Sequence, residues 1–136
     1  MTNEQDAARP VSSGRGVHHV ALRSADVDRT IHFYRDVLEF PLTDTRDDEF
    51  FFDVGNGNLL AFRTSDDLDA FAVGGLHHLA ISVAPARWSH LKAKLDAAGV
   101  AHSTESGTSV FFHDPDGTRL ELIADPLGDL GGTKVL

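Results

Sequence analysis

The sequence predicts an α+β fold built from two βαβββ modules, and three observations predict it. GVHHVALRSA at residues 16–25 returns as GLHHLAISVA at residues 75–84, keeping the Gly, both His and two Ala, and swapping one aliphatic for another at the differing apolar positions. FFDVGNGNLLAF at 51–62 is echoed by FFHDPDGTRLEL at 111–122, with apolar residues, a turn and apolar residues in the same order. Each copy also carries a helical stripe between its first strand and the strands that follow. The shared positions are what the fold needs, so function is expected where the copies differ.

Taken in order, VHHVALRS alternates and is rich in β-formers, which predicts a strand. ADVDRTIHFYRDVLEF follows as a helix, with Asp26 as N-cap, Ile31, Tyr34, Val37 and Leu38 on one stripe, and Pro41 as the stop. Short strands are expected at Leu42 to Arg46, Phe50 to Val54 and Leu59 to Arg63, the last two joined by the hairpin signal Asn56-Gly57. The second copy gives strand LHHLAISV and a helix from about Ala86 to Ala98, with Trp88, Leu91 and Leu95 on one face and Gly99 closing it. VAHST, SVFFH, a DPDG turn and TRLELIA complete the unit. These elements divide the chain into a disordered tail at 1–15, module 1 at 16–64, module 2 at 75–125 within one domain, and an irregular Gly-rich tail at 126–136.

At 136 residues and 41% hydrophobic, the chain can bury one ordinary core, and each half needs the other to do so. Cysteine is absent, which excludes disulfides and thiolate metal sites and suits a reducing cytoplasm. The opening MTNEQDAARPVSSGR lacks the apolar stretch of a secretory signal, and no run approaches the roughly 20 apolar residues of a membrane span. A cytoplasmic protein without a membrane partner is expected. The net charge of −9 works against nucleic acid, whose binding needs clustered cations. The acidic residues are scattered and read as a solvated surface.

Strand alternation sorts the side chains. His18, Val20 and Leu22 share one face of the first strand, and His19, Ala21 and Arg23 the other. In the second unit His77, Leu79, Ile81 and Val83 oppose His78, Ala80 and Ser82; in the last strand Leu120, Leu122 and Ala124 oppose Arg119, Glu121 and Ile123. The aliphatic faces should meet the helices, with His18 and His77 as hydrogen-bonded structural residues there. The opposite faces look like a cavity lining on which His19, His78 and Glu121 can converge. Two imidazoles and a carboxylate bind a divalent ion and leave positions open. Arg23, Arg63 and Arg119 fall on the same face and would favour an anionic small-molecule substrate, unless they pair with acids at the rim. Phe51 and Phe111 also fall there, as an apolar wall or as core.

The HHVALRSADVDRTIHFYRDVLEFPL opening, the HHLAISV restart and the FFHDPDGTRLELI ending resemble the vicinal oxygen chelate superfamily, also called the glyoxalase, bleomycin-resistance and extradiol-dioxygenase superfamily, over about residues 16 to 125. The resemblance implies paired modules forming a curved, cup-like mixed sheet around one divalent ion, Fe(II), Mn(II) or Zn(II). Its metal positions match His19, His78 and Glu121. The cup would form within one chain or by exchange across a dimer, and a homodimer is expected because short curved sheets leave edges and rims for a partner to cover.

Departures from the family pattern rank the activities. Ala61 stands where glyoxalase I carries a second Glu, and a proton-moving isomerase needs that base. An open three-ligand site fits dioxygenase-type chemistry, although extradiol enzymes place a Tyr where this chain has Phe111. Their catalytic pocket His is matched by His113 or His102 only through loose alignment, and His102 also reads as a solvated loop residue. A metal-dependent dioxygenase-like enzyme is the first expectation, a glyoxalase-like lyase or isomerase the second, and a metal-free small-molecule binder of the bleomycin-resistance type the third.

Overall fold

The computed structural model describes residues 12–64 and 76–124. The expected C-terminal tail at 126–136 and most of the N-terminal one lie outside the described residues. The element order is β1 (His19–Ser24), α1 (Val27–Ile31) running into a π-helical segment (His32–Val37), β2 (Leu42–Arg46), β3 (Glu49–Gly55), β4 (Asn58–Thr64), β5 (Leu79–Val83), α2 (Pro85–Ala97), β6 (His102–Ser106), β7 (Ser109–His113) and β8 (Arg119–Ala124). They form two four-stranded sheets of the same topology, β1-β4-β3-β2 and β5-β8-β7-β6. In each, the first and last strands of the module pair in parallel and the other neighbours are antiparallel. These are the two βαβββ modules the repeat predicts. The Asn56-Gly57 hairpin forms with φ of 58° and 78°, a pair of left-handed residues that a tight turn between twisted strands requires.

The first helix departs from expectation in two ways. Asp26 caps it as predicted, its carboxylate accepting the Arg29 N–H at 3.1 Å. Beyond Ile31, however, the winding widens into a π-helical segment, and the Leu38 N–H reaches the Phe33 carbonyl. The wider turn buries Phe33 together with Tyr34, Val37 and Leu38, whereas a regular 3.6-residue stripe through Ile31 and Tyr34 leaves Phe33 on the flank and Ile31 remains only half-buried. Pro41 is also not the stop. The helix ends two residues earlier, where Glu39 takes a left-handed φ of 61° and its carboxylate is gripped by Arg87, His90 and Lys94 of α2. Ion pairs to the second module thus hold a conformation that a non-glycine residue rarely adopts.

One core serves both modules. Tyr34 packs on Phe52 and Phe62 of its own sheet while Phe33 meets Phe112 of the other, and Trp88, Leu91 and Leu95 cover the second sheet as their spacing predicts. Trp88 donates its indole N–H to the Leu122 carbonyl at 2.9 Å, satisfying a buried donor. The DPDG turn is a clasp between modules. Asp116 accepts from Arg29 at 2.7 Å, and buried Asp114 accepts the Tyr34 hydroxyl at 2.7 Å and the N–H groups of Asp116 and Thr118.

Burial pushes the Asp114 carboxyl above the usual carboxylate range, against the hydrogen bonds that favour its charge. The folded chain therefore holds this proton more tightly than the unfolded chain. The resulting stabilisation is present below the ordinary aspartate range and is withdrawn as pH rises through the raised folded value. In urea melts across the acid range, the advantage of the parent over Asp114→Asn should narrow as pH rises. A gap that widens with pH would contradict the clasp electrostatics.

Candidate metal and substrate site

Register places the module 2 site. On β7 and β8, Phe111 lies opposite Glu121, His113 opposite Arg119 and Ser109 opposite Ile123, so these six share the face turned away from Phe112 and Leu120. β5 adds Ala80 beside Glu121. His78, just before β5, brings Nε2 to 3.0 Å from Glu121 Oε1. The other carboxylate oxygen accepts the hydroxyl of Ser109, which is buried at 1% exposure. Glu121 is itself buried, so both oxygens of a costly buried carboxylate are engaged. The Phe111 and His78 rings meet in a T-shaped arrangement with centroids 5.3 Å apart, and Arg119 lies over the Phe111 ring at 4.2 Å from its centroid.

The sequence reading did not single out Ser109. Its signal was available, since alternation in SVFFH puts Ser109 on the face of Phe111.

His19 is placed elsewhere. It opens β1 on the other sheet, opposite Leu59, and lines a separate cavity of about 340 Å³ with Thr43, Asp44, Arg46 and Phe51. Within one chain, among the described residues, no group of three or more His, Cys, Asp or Glu comes close enough to hold an ion. His78 and Glu121 meet, and His19 does not join them. The pair nevertheless fits a metal. Donors bound at about 2.0–2.2 Å lie roughly 3 Å apart along the edge of a coordination polyhedron, and the 3.0 Å between His78 Nε2 and Glu121 Oε1 matches that spacing.

The remaining assignments divide. His18 and His77, expected on the helix side, are exposed, each with Nδ1 within 2.9 Å of the neighbouring histidine's Nδ1. His18 lies one residue before β1, with its carbonyl accepting the Leu59 N–H at 3.1 Å, and His77 lies two residues before β5. His102 is corrected as a pocket residue. It stands opposite Phe112, which puts it on the helix-covered face, and it binds Asp96 at the end of α2. His113 is exposed on the site face at the rim. Arg63 pairs at 3.4 Å with Glu49, its cross-strand neighbour, which is the rim pairing the sequence left open for it. Phe51 is half-buried on the open face of the first sheet under Arg46. Arg23 and Arg119 line one cavity of about 430 Å³ where β1 meets the turn before β8.

The chain matches the model of the Glyoxalase/Bleomycin resistance protein/Dioxygenase superfamily over residues 16–122. It is 26% identical over 123 residues to the metallothiol transferase FosB of Shouchella clausii, an alignment covering 84% of this chain and 83% of that protein. Among solved structures, it resembles a glyoxylase/bleomycin resistance protein/dioxygenase domain from Frankia sp. EAN1pec, with a TM-score of 0.69 and 26% identity over 88% of this chain and 96% of that one. It shares its fold with the fosfomycin resistance protein FosX of Listeria monocytogenes, at a TM-score of 0.66 and 23% identity over 87% and 94% of the two chains. The model match spans most of the chain and both of its modules, and this protein therefore belongs to the Glyoxalase/Bleomycin resistance protein/Dioxygenase superfamily.

Proposed function

We propose that the chain is a metal-dependent enzyme acting on a small oxygen-chelating substrate, with dioxygenase-type oxidation as its reaction. The observation that carries this reading is the His78–Glu121 pair, held on an open sheet face by Ser109. His78 and Glu121 would hold one divalent ion, Fe(II), Mn(II) or Zn(II), and His19 of the partner subunit would supply the third ligand in a homodimer. When bound, the ion supplies Lewis acidity and, as Fe(II) or Mn(II), a redox-active centre with open positions. The protein's own groups do the rest. Ser109 holds the Glu121 carboxylate, Phe111 would wall one side of the substrate, and His113 at the rim would carry a proton to or from it.

Elemental analysis of protein purified without added metal tests the site. His78→Ala and Glu121→Ala should lose nearly all bound metal, and Ser109→Ala should weaken affinity about 10- to 100-fold, as removal of a ligand-orienting partner does. His32→Ala, on the exposed helix surface, should retain parental content. Parental occupancy in Glu121→Ala would overturn the assignment, and a parent that retains no metal at all would favour the metal-free binding protein. A second reading, transfer of a thiol onto a small oxygen-bearing substrate, is supported by the similarity to the metallothiol transferase. Thiol consumption that depends on both metal and substrate would select it.

A further inference from the structure

We propose that the cavity at the junction of the modules binds the oxyanion group of a small organic ligand through Arg23, Arg119 and His113. In a chain with 21 Asp and Glu against 12 Lys and Arg, spare guanidinium groups are not expected. Arg29, Arg35, Arg46, Arg63 and Arg87 each pair with a carboxylate. Arg15, Arg23 and Arg119 have no carboxylate partner among the described residues, and the last two line this one cavity together with His77 and His113. Asp116 is the acidic residue on its wall, and it is already spent on Arg29, the Ala25 N–H and Thr30.

Arg23 and Arg63 are direct neighbours across the parallel β1–β4 pair, an unfavourable placement of like charges. Glu49 relieves Arg63, whereas among the described residues no carboxylate pairs with Arg23. An incoming anion would. Arg119 is also preorganised, since stacking on Phe111 and a 3.5 Å approach to His77 Nδ1 restrict its side chain before any ligand arrives. A guanidinium so held offers two parallel N–H donors to a carboxylate, phosphate or phosphonate.

The volume of about 430 Å³ exceeds what a bare anion fills, and Val20, Leu22 and Leu76 supply an apolar wall. The ligand is therefore an organic anion with an apolar body. This site does not depend on the metal reading, and it can be tested with the metal stripped away.

The test titrates the EDTA-treated full chain with phenylphosphonate and, separately, with benzoate, following heat and the His113 imidazole C–H resonances. Saturable binding of either is expected, the better ligand identifying the headgroup as tetrahedral or planar. Arg23→Gln and Arg119→Gln should each weaken it about tenfold or more, the usual consequence of losing a charge-assisted contact. Arg35→Gln, which breaks a helix-surface pair, should leave it unchanged. Arg119→Lys keeps the charge without the fork and should fall between, which covers the case in which the Gln variant folds poorly. Failure of both ligands to saturate, or parental affinity in both Gln variants, would overturn the proposal while leaving the metal content of the parent to judge the other site.

Discussion

Mixing unfolded His19→Ala and Glu121→Ala chains and refolding them together should recover about a quarter of the parent's metal capacity from two proteins that bind almost none alone, if the site is shared across a two-fold dimer. The reasoning follows from placement. His78 and Glu121 converge within one chain, and His19 lies on the other sheet beside Phe51 and Asp44. In a shared site, His19 of one subunit completes the pair on its partner. Random reassociation makes about half the molecules heterodimers, and each then has one intact site of its two. A mixture of His78→Ala with Glu121→Ala should recover nothing, because both of those ligands come from the same module. If the cup were built within a single chain, neither mixture would regain metal. The absence of recovery in the first mixture would therefore refute the exchanged arrangement while leaving the ligand identities to the single variants.

Much of this could be read from the sequence because the deciding signals were periodic. The repeat of GVHHVALRSA gave the architecture, and alternation in RLELIA and SVFFH put Glu121 and Phe111 on one face, where the strand register has them opposite each other. Trp88, Leu91 and Leu95 fell on the buried side of α2 because a regular helix keeps its phase. What escaped depended on departures from period or on distance. The π-helical winding after Ile31 shifted the phase that a 3.6-residue stripe assumes, and the stop at Glu39 depends on cations from α2, far away in sequence. The two readings open for Arg63 were separated only by β3–β4 register, which sets Glu49 beside it. His102 looked like a pocket residue or a loop residue until its pairing with Phe112 turned it toward the helix side. Whether one chain or two completes the metal set is a property of assembly, and strand periodicity carries no information on that.

Isomerisation of the methylglyoxal–glutathione adduct should be negligible with any divalent ion supplied, and the reason can be read residue by residue from the two sheets. Ala61 occupies in the first sheet the place that Glu121 occupies in the second. Each lies opposite the first Phe of the aligned FF pair, Phe51 or Phe111, and next to an alanine, Ala21 or Ala80, on the parallel strand. The copies thus differ by one carboxylate at equivalent positions. A reaction that moves a proton between adjacent carbons needs a base in reach, and such a base is typically worth about a hundredfold or more in rate. The first sheet offers no easy substitute. Where Ser109 supports Glu121, the equivalent residue is Glu49, already paired with Arg63, and its charge would repel a second carboxylate installed at the buried Ala61. Ala61→Glu alone should therefore fold poorly and gain little isomerase activity, whereas pairing it with Glu49→Ser should recover stability. Oxidative chemistry has no such requirement, since it asks for an open coordination position and a redox-active ion. With Fe(II) restored anaerobically, substrate-dependent oxygen uptake across a panel of catechols should appear in the parent and vanish in Glu121→Ala. Efficient turnover of the glutathione adduct with Ni(II) or Zn(II), and no oxygen uptake with Fe(II), would reverse the order of the two reactions.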